Sequence, residues 1–200
     1  MTIVHERWKG AEYTSGIQGQ RIGIVGYSHW NGYPDRSDYT EFTVDVIRSV
    51  ISGKGSHAFF TQIRNYFDFD DHGAFWQKVL FFNYVPRCIG GPDERFDVAD
   101  ESWNDSANGR FREILARDAP DKVIVFTSKG WGSLPPFDGP LHPEFDSAGL
   151  AGVILRDPCG TYDASSKPVM TFGLRHPQCA PAKVMSQAVK QILKVPITAA

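Results

Sequence analysis

Apolar residues in this chain follow two rhythms. Four short runs show no polar alternation: RIGIVG (Arg21 to Gly26), VLFFNYV (Val79 to Val85), KVIVFTS (Lys122 to Ser128) and PVMTFGL (Pro168 to Leu174). Runs of this kind predict strands covered on both faces, as in a parallel sheet. Between them the spacing becomes helical. Ser37 to Ser52 carries Phe42, Val46, Ile47 and Val50 at helical intervals, with Ser37 or Asp38 as its cap. His57 to Phe67 predicts a second helix, DHGAFWQ a short third, and Asn108 to Ala119 a fourth with Phe111, Ile114 and Leu115 on one face. Ala182 to Lys194 predicts a closing helix. GVILRD predicts a short strand paired with the region before Lys167. Trp131 to Gly149 holds four of the thirteen prolines and predicts a long loop.

Alternating strand and helix predict a three-layer α/β/α sandwich around a central, mainly parallel four-stranded sheet. Residues 1–20 are polar and predict a loosely packed lead-in to a single domain, 21–200. The net charge of −2 argues against broad, non-specific nucleic-acid binding but leaves room for a local basic groove. Cys88, Cys159 and Cys179 are odd in number and far apart, so neither a disulfide framework nor a metal site is expected. MTIVHERWKG lacks the apolar core of a signal peptide, and no apolar run approaches the ~20 residues that span a bilayer. The expectation is a cytoplasmic monomer without metal, cofactor or membrane contact.

The chemistry-bearing residues gather where strands end, which is where open α/β sheets bind ligands. Ser28, His29 and Trp30 follow the first strand, Asn83 closes the second and His176 follows the last. If these strands are parallel neighbours, all three groups share one rim. Asn83 offers a donor and an acceptor, suited to a base edge or to satisfying a turn. His176, in RHPQ, suits hydrogen-bond donation to an anionic oxygen, or caps the next helix. Ser28 and His29 are adjacent on an extended chain and point oppositely, so His176 is the better partner for a Ser28 nucleophile. Trp30, Tyr33, Tyr84 and Trp131 offer aromatic faces for stacking or for packing loops. Arg87, Lys129, Arg175 and Lys183 offer positive charge for phosphates. Asp35 and Asp38 are candidates for orienting a water.

The order of these groups resembles the uracil-DNA glycosylase-like superfamily. That superfamily has a glycine-led motif after its first core strand (Gly-x-Asp-Pro-Tyr, Gly-x-Asn-Pro or Gly-Glu-Ala-Pro), an apolar strand ending in asparagine, and a His-Pro-Ser-like motif after its last strand. The matching stretches are GYSHW (Gly26 to Trp30), VLFFN (Val79 to Asn83) and RHPQ (Arg175 to Gln178), and the resemblance spans roughly Arg21 to Leu193. It implies the fold named above and a DNA glycosylase that flips out a damaged or modified base and hydrolyses its glycosidic bond. Asn83 would read the base. Gly26, Tyr27, Trp30 and Tyr84 would line its pocket, and His176 would stabilise charge on the departing base. Arg87, Lys129, Arg175, Gln178 and Lys183 would face the DNA backbone.

The motif differs from its relatives at several positions. Ser28 stands where the family has its water-activating Asp or Asn, Tyr27 at the glutamate, His29 at the proline, Trp30 at the tyrosine and Gln178 at the serine. These departures point away from ordinary uracil excision, so the expected substrate is a damaged or modified base, uracil-like or a modified cytosine, with His29 or Asp35 holding the water. Too few cysteines are present for the iron–sulfur cluster of some relatives. Two other readings use the same residues. One is a non-catalytic base- or DNA-binding module of the same fold. The other is an SGNH-type serine esterase, which needs an aspartate where Gly173 stands.

Overall fold

A computed structural model describes residues 4–30, 38–55, 57–90, 103–139, 145, 149–150, 152–164 and 167–197, without the side chains of 156–158. The strands are β1 (Trp8–Lys9), β2 (Ile22–Gly26), β3 (His29–Trp30), β4 (Val79–Asn83), β5 (Cys88–Ile89), β6 (Lys122–Val125), β7 (Ile154–Ala164) and β8 (Lys167–Leu174). The helices are α1 (Phe42–Ile51), α2 (Ala58–Tyr66), α3 (His72–Trp76), α4 (Asn104–Asp118), α5 (Ser128–Trp131) and α6 (Ala182–Lys194). No helix among the described residues is long and apolar enough to cross a membrane.

The main sheet runs β1-β4-β2-β6-β8-β7. It has six strands where four are predicted. The four predicted runs form its parallel interior, β4-β2-β6-β8. The two additions are antiparallel edges, β1 against β4 and β7 against β8. The period of two along each strand divides the core between two faces. Ile22, Ile24, Val79, Phe81, Ile124 and Phe172 pack with helices α1, α2, α3 and α6. Val25, Leu80, Phe82, Val123 and Val125 pack with Phe111, Ile114 and Leu115 of α4. The strand order turns at β2, so the crossover to β4 covers one face and the α4 crossover to β6 covers the other.

Residues 4–20 are not a loose lead-in. Trp8, Tyr13 and Ile17 are buried, and the Trp8 indole donates to the Trp76 carbonyl at 2.7 Å. Helix α1 begins at Phe42, later than predicted, and its N-cap Glu41 makes no side-chain bond. Asp38 caps nothing and instead reaches His5 and the Cys88 amide. Ser37 lies outside the described residues. Helix α4 starts four residues before Asn108 and ends with Ala119 in the left-handed region (φ 43°), just ahead of Pro120. The short strand expected at GVILRD is an 11-residue strand, β7.

One buried polar group ties the sheet to the closing helix. Lys122 is fully buried, and its ammonium donates to the carbonyls of Ile192 (2.8 Å), Leu193 (3.0 Å) and Val195. Those carbonyls lie at the end of α6, where a helix has no internal donors left and its dipole favours a cation.

Candidate functional site

Parallel pairing of β2 with β4 sets Gly26 opposite Asn83 at the carboxyl end of both strands. The two residues meet through the side chain of Asn83. A Cβ on Gly26 would lie 2.3 Å from Asn83 Oδ1, so only glycine leaves room for the carboxamide. Asn83 is 4% exposed, and its Nδ2 is buried with no hydrogen-bond partner among the described residues. Leaving such a donor dry costs about 1–3 kcal/mol, so it needs an explanation. The Asn83 backbone is held firmly, because Arg110 donates to its carbonyl at 3.0 Å and to the His5 carbonyl at 2.7 Å. Burial, the largest influence on Arg110, brings its pKa down to about 10, so it remains charged at neutral pH.

Phe59 of α2 forms the next wall. Its ring tip would lie 3.5 Å from a Cβ on Gly26, and its ring centre is 5.2 Å from the His176 ring. Gly26, Asn83 and Phe59 therefore meet on the face shared by β2, β4 and α2, and His176, past the end of β8, packs against Phe59 beside them. Phe59 is a functional candidate that the sequence reading missed. Adjacent Phe59 and Phe60 point about 100° apart on a helix, so both cannot sit centrally on the buried stripe of Phe60, Ile63 and Tyr66.

His176 begins a 3₁₀ turn, Pro177–Cys179, and its Nδ1 accepts from the Gln178 amide at 3.3 Å. The proton of the neutral ring then belongs on Nε2. Burial holds the imidazole below its usual pKa, so at pH 7 it is a neutral Nε2–H donor.

Other predicted residues go elsewhere. Tyr27 and Tyr84 follow Gly26 and Asn83 by one residue and face the opposite side of the sheet, both beside Gly130. The Tyr84 hydroxyl lies 2.7 Å from the Ser133 carbonyl and 2.9 Å from Asn108 Oδ1, and burial pushes its pKa up to about 12. Its role is packing, contrary to the expectation of a pocket residue. Trp131 lies on Gly173 and against Phe137, also as packing. Half-buried Ser28 makes no hydrogen bond to His176 among the described residues, and Trp131 occupies the space over Gly173 that an esterase's aspartate would need. His29 Nε2 lies 2.9 Å from Thr43 Oγ1, with its ring against Phe42 and His5. Trp30 is 39% exposed at the end of β3, on the ribbon formed by β3 and β5. Asp35 and Tyr33 lie outside the described residues.

Lys129, Arg175, Gln178 and Lys183 are exposed beyond the carboxyl ends of β6 and β8, on the rim that carries His176. Arg87, past the carboxyl end of β4, holds its guanidinium 4.7 Å over the Trp103 ring. No family model matches the chain, and no curated protein matches it significantly.

Proposed function

We propose that this chain is a divergent DNA glycosylase of the uracil-DNA glycosylase-like superfamily, with that superfamily's α/β/α fold. It binds an extruded, uracil-like or modified cytosine base between Phe59 and Asn83 and hydrolyses its glycosidic bond. The observation that carries this reading is Asn83 Nδ2, a buried donor with no partner among the described residues. A base edge supplies its acceptor, and rotation of the amide suits either a uracil or a cytosine edge. Phe59 gives the face on which the base stacks. Lys129, Arg175, Gln178 and Lys183 are exposed where the phosphates flanking a flipped nucleotide would run.

In the reaction, water oxygen bonds to C1′ as the C1′–N bond breaks, that bond's electron pair leaves with the base, and the proton the water loses ends on the departing base. The Nε2–H of neutral His176 donates to the oxygen on which this charge collects. Of the two residues expected to hold that water, His29 lies against Thr43 and Phe42, and Asp35 lies outside the described residues. One observation favours a second reading, a base-binding module without catalysis. Tyr27, at the acid position of some relatives, faces away from the pocket, and Ser28 carries no carboxylate.

The test is base release from oligonucleotides bearing uracil, hypoxanthine or modified cytosines, single-stranded and duplex, with alkali to reveal abasic sites. Strand breaks lost in Asn83→Ala and in His176→Ala are the expected result. Base-dependent binding without strand breaks selects the non-catalytic module. Neither cleavage nor base-dependent binding overturns both readings.

A further inference from the structure

The structure brings together three residues that are far apart in the sequence and that the base pocket does not use. One ring nitrogen of His5, one carboxylate oxygen of Asp38 and the Cys88 sulfur all lie within 4.8 Å of one another. His5 comes from the segment before β1, Asp38 from the turn before α1 and Cys88 from β5. His5 is 1% exposed and Cys88 is buried, while the Asp38 side chain reaches solvent at 18% exposure. We propose that His5, Asp38 and Cys88 bind one divalent transition-metal ion of the zinc class.

The donor set is one imidazole nitrogen, one thiolate and one carboxylate. Soft sulfur and imidazole select zinc-like ions over magnesium or calcium, and three protein ligands with one open position is a common zinc arrangement. Bonds of about 2.0–2.3 Å set tetrahedral ligand atoms roughly 3.5 Å apart. The widest pair would therefore close by about 1 Å, while the close His5 Nε2–Asp38 contact would open to ligand spacing if that nitrogen ligates. Thiolate and carboxylate supply two negative charges for a doubly charged ion.

A second observation points the same way. His5 Nε2 is spent on Asp38, while Nδ1 is buried with no hydrogen-bond partner among the described residues. An imidazole, a carboxylate and a thiol meet at one point with solvent access from the Asp38 side.

The ion would have a clear structural effect. Cys88 lies on β5, whose partner β3 carries His29 and Trp30 just beyond Gly26. Metal binding would fasten the N-terminal segment and this ribbon to the residues that lead into α1.

The test uses the full chain without a histidine tag, stripped with a chelator and titrated with Co²⁺ alone. One equivalent should produce a near-ultraviolet thiolate-to-cobalt band, and Zn²⁺ should bleach it. Cys88→Ser should abolish the band, Asp38→Asn should weaken Co²⁺ binding at least tenfold, and Cys179→Ser, at an exposed cysteine, should change neither. Zn²⁺ alone should raise the melting temperature of the wild type but not of Cys88→Ser, a comparison that stands even if a His5 variant fails to fold. Absence of a saturable band, or a band that survives Cys88→Ser, overturns the proposal.

Discussion

Replacing Gly26 with alanine tests the contact between Gly26 and the Asn83 carboxamide without assuming any substrate. The new Cβ would stand 2.3 Å from Asn83 Oδ1, inside the 3.0 Å floor of real contacts, so the carboxamide must retreat by at least about 0.7 Å. Asn83 is buried and its backbone carbonyl is tied to Arg110, so the side chain has little room to swing. Overpacking of this size costs about 1–3 kcal/mol. Taking about 2 kcal/mol, Gly26→Ala should lower the melting temperature by about 4–8 °C for a chain of this size. Asn83→Ala alone should cost under about 1 kcal/mol, because it also removes a buried donor with no partner among the described residues. With the obstructing oxygen gone, the double variant should be no less stable than Asn83→Ala. Urea denaturation of all four proteins should therefore give a coupling of about 2 kcal/mol. Additivity within about 0.5 kcal/mol would refute the contact. Once a substrate is in hand, Gly26→Ala should also slow base release by about a hundredfold, the usual effect of a displacement near 1 Å.

His176→Ala should lower base release by about 10²–10³-fold, and His176→Gln should recover part of that loss by restoring a donor, with single-turnover rates as the readout. Asp118 is buried among Arg7, Lys9 and Arg117. Burial alone would raise its carboxyl, but the bonds from Arg7 and Lys9 and the charges of Arg7 and Arg117 hold it below the usual range. A depressed carboxyl stabilises the fold above the unfolded value of about 4, and that stabilisation fades as pH falls through the lower folded value. Asp118→Asn should therefore cost about 3 kcal/mol at pH 7 in chemical denaturation, with the gap from wild type closing in acid. Burial pushes the Lys122 ammonium down to about 8. The unfolded chain then holds more protons between pH 8 and about 10, so wild-type stability should rise with pH there, and Lys122→Met should remove that rise.

The four parallel strands were legible because runs such as VLFFN and KVIV allow no wet face, and the bounds of α6 follow its apolar stripe. The edges were not. Trp8–Lys9 is two residues in a polar segment and becomes a strand only because β4 offers it a partner. Strand β7 contains proline and glycine, and its pairing with β8 prevails over them. In the site, the meeting of Gly26 with Asn83 follows from parallel neighbours ending level. Assigning Tyr27 and Tyr84 to the same pocket contradicted strand alternation, since each sits one residue past a pocket residue. Phe59 was hidden in an ordinary amphipathic helix. The cluster of His5, Asp38 and Cys88 has no sequence signal, because only the fold brings those positions together.

The Lys122 ammonium also bears on the order of synthesis. Its carbonyl acceptors lie 70 to 73 residues later in the chain. Strand β6 stands between β2 and β8, so the centre of the sheet carries a charge whose acceptors are among the last described residues to be made. During translation, closing the sheet early would strand that charge in an apolar interior, at a cost of several kcal/mol. A chain cut before residue 192 should therefore leave the Lys122 ammonium without these three acceptors and be less stable, a loss that denaturation of the truncated protein would measure.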